Sequence, residues 1–187
     1  MNKFLLVLGF LLVLTGCGQR IFPSDDGELQ KVTTKAGDDF LEFRLTRTKV
    51  NPDPNREYFW FKSGQLQSTR GSFSGYLLDG EFTRMNQEGQ LSARGEFKDG
   101  LKTGTWYSYE QGDLVTIETY RKGQLSGKSQ DLLGGEVVEE RIYKSGVLNG
   151  FRKELQGDSV KQIKYRGGVP TDTTYLKSGI LSLDFLH

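Results

Sequence analysis

The sequence TWYSYEQGDLVTIETYRKG, residues 105–123, contains two runs rich in aromatic and β-branched residues and two tight turns. The first run, Thr105 to Tyr109, is followed by Gln111-Gly112-Asp113, where glycine can adopt a positive φ without steric cost. The second run, Leu114 to Tyr120, is followed by Arg121-Lys122-Gly123. Two strands and two turns account for the whole stretch, which therefore predicts a β-hairpin unit.

The same pattern returns about every 23 residues along the chain. A glycine is followed eight residues later by an aromatic residue and three residues after that by a second glycine. A fixed period of this length is typical of repeat architectures. The first glycines are Gly64, in a looser copy, Gly89, Gly112, Gly135, Gly157 and Gly179; the aromatic residues are Phe97, Tyr120, Tyr143 and Tyr165; the second glycines are Gly100, Gly123, Gly146 and Gly168.

The repeats predict an all-β protein, an elongated antiparallel sheet of consecutive β-hairpins with about ten or more strands. No window after residue 17 has a sustained apolar period of 3.6 residues, so we expect little or no helix. Because side chains alternate between the two faces of a strand, residues six apart are expected to share a face. The pairs predicted to do so are Leu91 with Phe97, Leu114 with Tyr120 and Val137 with Tyr143.

The repeated aromatic residues have two interpretations. Buried aromatic side chains dominate core energetics, and we favour core packing for this set. The alternative is an exposed aromatic ladder that binds a glycan or a peptide. The sequence leaves both open.

The first 17 residues are typical of an export signal. A basic start at Lys3 precedes an apolar run from Phe4 to Leu14, which is too short to span a bilayer as a helix. The order Leu14-Thr15-Gly16-Cys17 resembles a bacterial lipobox, which implies that Cys17 is lipidated and anchors the chain to a membrane. Under the sorting rules of Gram-negative lipoproteins, Gly18, which is not Asp, implies the outer membrane, on a face that the sequence does not specify.

These patterns divide the chain into three segments. Residues 1–16 are expected to be a lipoprotein signal peptide, and residues 17–36, which are polar and lack a strand or helix period, a flexible tether. Residues 37–187 are expected to form the repeat domain.

Charge and cysteine content give no support for nucleic acid binding or for a disulfide-stabilised fold. Without residues 1–16, which contain Lys3 and no acid, the chain has 24 Lys+Arg against 24 Asp+Glu. A net charge near zero gives no support for nucleic acid binding. Cys17 is the only cysteine, so no disulfide can form within the chain.

Residues suited to catalysis are scarce. The only histidine is His187, at the last position, so the sequence predicts no histidine-based zinc site and no catalytic triad. Glu118 and Glu139 occupy equivalent repeat positions and could form a carboxylate pair beside Arg141, but a solvated charge ladder is the favoured interpretation. We expect a protein without enzymatic activity, cofactor or metal.

The repeat resembles the MORN type, in the variant found in the bacterial YwqK-like antitoxin family. Tyr109, Gly112, Leu114, Tyr120, Gly123 and Gly127 match one unit, and the resemblance extends from about Tyr58 to Leu183. Ser159, where a leucine is expected, and Asp172, where a glycine is expected, depart from it. The resemblance implies a scaffold for protein or membrane contacts.

These features together predict a lipid-anchored, non-catalytic binding module of the bacterial envelope with an unidentified protein partner. The alternatives are an antitoxin or immunity protein that neutralises a cognate toxin, and a carboxylate-dependent glycan-active enzyme. The residues expected to select a partner lie between the repeated positions and are Arg94, Glu118, Glu139, Arg141 and Lys161.

Overall fold

The computed structural model describes residues 30–177, which form one antiparallel sheet of thirteen strands and no helix. This confirms the predicted all-β architecture of consecutive hairpins. The strands are β1 (Gln30–Ala36), β2 (Asp39–Thr46), β3 (Glu57–Lys62), β4 (Gln65–Arg70), β5 (Tyr76–Met85), β6 (Leu91–Lys98), β7 (Leu101–Glu110), β8 (Asp113–Arg121), β9 (Gln124–Leu133), β10 (Glu136–Lys144), β11 (Val147–Gln156), β12 (Ser159–Arg166) and β13 (Val169–Lys177).

The main path of the sheet is β1-β2-β5 and then every strand in sequence order to β13. The β3–β4 hairpin leaves this path. β3 pairs with β5 only at Trp60–Leu77 and Phe61–Tyr76, and the rest of the hairpin packs over the sheet. Phe61 lies 5.3 Å, centroid to centroid, from Phe43 of β2, and Phe59 lies 5.0 Å from Phe97 of β6. The hairpin therefore forms a second layer over the N-terminal strands.

The repeat domain begins earlier than predicted. Residues 30–36 lie within the tether that their polarity predicts, but they form β1, paired along its whole length with β2. Val32 is 2% exposed and lies opposite Phe43. The prediction was wrong because Val32 and Ala36, the two apolar residues among these seven, give no visible strand period, whereas the edge of a neighbouring strand supplies the backbone partners. Residues 17–29 lie outside the described part of the chain.

One long edge of the sheet is built from turns in which both central residues have positive φ. Lys122 and Gly123 have φ of 50° and 75°, the pattern of a type I′ turn, whose twist matches that of the flanking strands. The Gly123 N–H also donates a hydrogen bond of 2.9 Å to the Lys102 carbonyl, in the strand before the hairpin. Gly100, Gly146 and Gly168 make the equivalent bonds to Leu78, Leu125 and Leu148.

The repeated glycines of the opposite edge also lie in turns or loops between strands. Each described member of the set has a positive φ, and Gly179 lies outside residues 30–177. The glycines concerned are Gly89, Gly112, Gly135 and Gly157, together with Gly64 in the β3–β4 turn.

A β-bulge follows the turn in three of the repeats. Tyr109 pairs with Leu114 and Ser108 with Thr116, so Val115 is the extra residue. A single extra residue moves Leu114 to the face opposite Tyr120. The prediction that such pairs share a face is therefore wrong. Equivalent bulges at Ser92 and Val138 separate Leu91 from Phe97 and Val137 from Tyr143.

The last repeat lacks this bulge. β12 pairs with β11 without a register shift, and Tyr165 follows Tyr143 by 22 residues rather than 23. Val160, 23 residues after Val137, is fully buried opposite Leu155. Val160 thus takes the place that the repeat pattern assigned to Ser159, and the missing bulge residue accounts for the shorter period.

Candidate functional site

One face of the sheet, here called face A, changes character along the chain. Strand register places Trp106, Glu118, Ser129, Arg141 and Arg152 in one row across β7 to β11. The part on β1, β2 and β5–β7 lies under the β3–β4 hairpin and is the covered half. The part on β8–β13 is the open half, because no second layer lies over it among residues 30–177.

The covered half is an aromatic core. Phe43 is 1% exposed and Phe97 3% exposed, and Phe82 packs between them. Trp106 contacts Phe82 and Phe97 at centroid distances of 5.5 and 4.9 Å. Its indole Nε1 donates to the Glu96 carbonyl at 3.2 Å, which satisfies the one polar atom of the ring.

The boundary between the halves lies at Tyr120. Its ring packs edge-on against Trp106 at 6.3 Å, and the Lys102 ammonium lies 4.4 Å from the Trp106 ring centroid and 4.8 Å from that of Tyr120. The Tyr120 hydroxyl donates to the Glu118 carboxylate at 2.8 Å. The last aromatic contact of the core is thus joined directly to the first carboxylate of the open half.

Burial shifts the pKa of both polar groups at this boundary. The pKa of Lys102 is lowered, chiefly because burial removes water from its ammonium, and Glu118 opposes the shift. The pKa of Tyr120 is raised, first by burial and then by its hydrogen bond to Glu118. Each group therefore favours its neutral form more than it would in water.

The open half carries a ladder of ion pairs. Arg141 lies 2.6 Å from Asp131 and 3.4 Å from Glu139, so one guanidinium bridges two strands. Arg152 lies 2.8 Å from Glu139 and 3.7 Å from Glu154. We call these five residues the ion-pair ladder.

The centre of the ladder is neutralised from both sides. The Glu139 side chain is 16% exposed and contacts two guanidinium groups. The hydrogen bond from Arg152 to Glu139 is the main cause of the raised pKa of Arg152. A carboxylate held between two arginines is suited to positioning them and poorly suited to proton transfer.

Four of the five residues predicted to select a partner share face A. Glu118 and Arg141 lie in one row, Glu139 lies in the next, and Lys161 is opposite Glu154. Arg94 is the exception. It pairs with Tyr107 on the other face, with its guanidinium 4.5 Å from that ring. Arg94 therefore does not share face A with the other four residues, and its role in partner selection stays a prediction.

The repeated aromatic residues divide between the two interpretations. Phe97 is buried in the core, and Tyr120 packs on the rim of the core. Tyr143 and Tyr165 are partly exposed on face A in the open half.

Sequence reasoning missed Asp131, Arg152 and Lys102. Asp131 and Arg152 could have been found from opposite charges on either side of a turn, because residues on the two sides of a turn lie on adjacent strands. The opposite charges are Arg141 for Asp131 and Glu139 for Arg152. Register shifts occur in the β9–β10 and β10–β11 pairs. Residues at equal numbers of positions from the turn are therefore not the ones that pair, and the sequence does not identify the partners.

No group of three or more His, Cys, Asp or Glu side chains is arranged to hold a metal ion within residues 30–177. Within the same residues, no helix has the length and apolar character needed to cross a membrane. His187, for which no catalytic or zinc-binding role is predicted, and the predicted lipobox residues Leu14, Thr15, Gly16 and Cys17 lie outside the described part of the chain.

Comparison with known families identifies the N-terminus. Residues 1–17 match the prokaryotic membrane lipoprotein lipid attachment site, and the match ends at Cys17. It supports a lipid-anchored protein of the bacterial envelope. No curated protein matches the chain.

Proposed function

We propose that this protein is a non-catalytic, lipid-anchored binding module of the bacterial envelope whose open half of face A binds a partner protein. The observation that carries the proposal is the ion-pair ladder, which is organised and partly buried but has no second layer over it within residues 30–177. The covered half already provides the core of the fold. The open half is therefore available for contact.

The residue types of the open half suit a protein interface. Arg and Tyr are enriched at interfaces and supply most of their binding energy. Arg141, Arg152, Tyr143 and Tyr165 lie on face A, and Tyr175, opposite Lys161 on β13, is 64% exposed. The ladder holds its arginines in place before a partner arrives, which lowers the entropic cost of binding.

Catalysis is not part of the proposal, because Glu139 is engaged by two arginines and Glu118 accepts a hydrogen bond from Tyr120. An antitoxin function would use the same face, and the identity of the captured partner would distinguish it from a scaffold function.

Membrane attachment through Cys17 is tested by Cys17→Ser. The substitution should abolish incorporation of radioactive palmitate, and persistent labelling would overturn the assignment of the anchor. Separation of inner from outer membranes on a density gradient tests the proposed outer-membrane location.

Binding of the partner to face A is tested by photo-crosslinking from two adjacent positions of β13. Tyr175 lies on face A, and Thr174, opposite Gln162, lies on the other face. A crosslinking amino acid at Tyr175 should capture one protein in the native envelope, and the same group at Thr174 should not. Lys161→Glu should reduce the capture. Equal capture from both positions, or capture that Lys161→Glu leaves unchanged, would contradict the proposed face.

A further inference from the structure

The two long edges of the sheet have opposite charge. The acidic edge consists of the four turns that follow β5, β7, β9 and β11, together with the residues flanking them. These stretches, residues 85–91, 110–113, 133–136 and 156–159, contain five acidic residues and no lysine or arginine. The acidic residues are Glu88, Glu110, Asp113, Glu136 and Asp158.

The basic edge consists of the turns that follow β6, β8, β10 and β12. Residues 98–101, 121–124, 144–147 and 166–169 contain five basic residues and one acidic residue, Asp99. Each repeat places a lysine or arginine directly after its aromatic residue. The basic residues are Lys98, Arg121, Lys122, Lys144 and Arg166.

Four of these cations are free to act on a ligand. Lys98 is paired with the buried Asp79 at 3.0 Å. Arg121, Lys122, Lys144 and Arg166 are exposed and have no acidic partner in the described part of the chain. Since one repeat contains two strands, the repeated cations recur about every 10 Å along the edge. They form a straight positive row rather than a pocket.

The chain also enters the sheet at the basic edge. Gln30, the first residue of β1, lies opposite Leu45 at the end of β2. The next residue of β2, Thr46, lies opposite Leu77, and Gly100 in a basic-edge turn donates to the carbonyl of Leu78. The lipid attachment site at Cys17 precedes Gln30 by 13 residues. The anchored segment therefore joins the sheet at its basic edge, and its 13 residues reach no further than about 45 Å when fully extended.

We propose that the basic edge docks on the anionic phospholipid headgroups of the membrane that holds the lipid anchor. The sheet then stands on the membrane on its long edge, with the acidic edge facing away. Both signs of charge favour this orientation, because an anionic surface attracts one edge and repels the other. The open half of face A stays exposed at the side, so docking does not compete with a bound partner.

The expected strength follows from the number of free cations. Each lysine or arginine near an anionic bilayer shifts the docking equilibrium about fivefold. Removal of three such charges should lower the ratio of docked to undocked protein about a hundredfold. The effect should disappear at about 1 M salt, where the Debye length is about 3 Å.

The experiment uses the lipidated protein, reconstituted in vesicles, with one fluorophore on either edge. Ser145→Cys labels the basic edge and Gln111→Cys the acidic edge; in the lipidated protein the Cys17 sulfur carries the diacylglyceryl group, so each new cysteine is the only free thiol. The positions are matched, because both are first central residues of turns, with φ of 51° and 52°. Quenching by a headgroup-labelled lipid reports which edge touches the membrane.

We expect stronger quenching at Ser145→Cys than at Gln111→Cys in phosphatidylglycerol-containing vesicles, and a much smaller difference in pure phosphatidylcholine. Substituting glutamine for Arg121, Lys144 and Arg166 should remove the difference. The matched control, Glu110→Gln with Asp113→Asn and Glu136→Gln, removes three charges from the other edge and should retain it. Thermal melts verify that both triple variants fold.

Equal quenching at the two positions in anionic vesicles, or a difference that survives the basic-edge substitutions, would overturn the proposal. A second copy is the other occupant that the charges could fit, with its acidic edge against the basic edge. In that case energy transfer between the two labelled proteins would rise with protein density, regardless of lipid charge. That outcome would also overturn membrane docking.

Discussion

The covered and open halves of face A share one repeat but are stabilised differently. Across the sheet, the side chains of face A change from Phe43, Phe82 and Trp106 in the covered half to Glu118, Arg141 and Arg152 in the open half. The aromatic side chains lie where the β3–β4 hairpin covers the sheet, and the charged ones lie where no second layer is present among the described residues. The backbone repeat is thus the same in both halves. Turns and backbone hydrogen bonds hold the strands together, and the side chains at the variable positions form either a core or an interaction surface.

The largest expected effect on stability is that of Phe43→Ala in the covered half. Phe43 is 1% exposed and packs against Phe61 and Phe82, so its removal should cost about 3–5 kcal/mol and lower Tm by about 10 °C. Tyr165→Ala in the open half should cost much less in the same urea unfolding experiment. Equal costs would mean that the open half is also a closed core.

A smaller effect is expected from Gly95→Ala, which probes close packing in the covered half. A methyl group at this position would overlap the Trp106 indole ring. Overpacking of this kind should cost about 1–3 kcal/mol and change the near-UV circular dichroism of the tryptophans. In a Trp106→Leu background the same substitution should cost less. An unchanged cost in that background would show that the ring is not the obstacle.

The ion-pair ladder is tested by Glu139→Gln. The substitution removes the carboxylate shared by Arg141 and Arg152 and should lower the free energy of unfolding by about 1–2 kcal/mol. The matched control is Glu42→Gln, which breaks the exposed Lys31–Glu42 pair and should cost less than about 0.5 kcal/mol. If both variants lose the same stability, the ladder adds nothing beyond an ordinary surface pair.

The smallest effect is expected at the boundary, where Tyr120→Phe removes a phenol whose pKa is raised above its usual 10.0. A raised pKa stabilises the fold fully below the unfolded value, and this contribution is lost as pH rises above about 10. The stability advantage of the wild type over Tyr120→Phe should therefore be constant below about pH 9, begin to decline near about pH 10 and fall further as pH rises, in urea unfolding. Lys102 titrates in both proteins, so its opposite effect largely cancels. A constant difference would show that the Tyr120 phenol is not buried against Glu118.

The sequence alone predicted the all-β class, the hairpin unit and the period, because these depend on local chemistry. Residues such as Lys122 and Gly123 form a two-residue turn whatever lies across the sheet. The charged edges follow from the same turns, since once each turn is located its charge can be read directly. The N-terminal anchor is also local, because Leu14 to Cys17 are recognised as a short linear motif.

Tertiary structure alone established which residues meet. Val115 leaves no compositional sign that it is a bulge, yet that one residue moves Leu114 to the face opposite Tyr120. The position of Arg94 opposite Tyr107, and the pairing of Arg152 with Glu139, depend on register shifts within the β6–β7 and β10–β11 pairs. The β3–β4 hairpin divides face A by contacts that it makes far along the chain. Local pattern specifies strands and turns, whereas the assignment of side chains to a core or an open surface depends on which strands pack together.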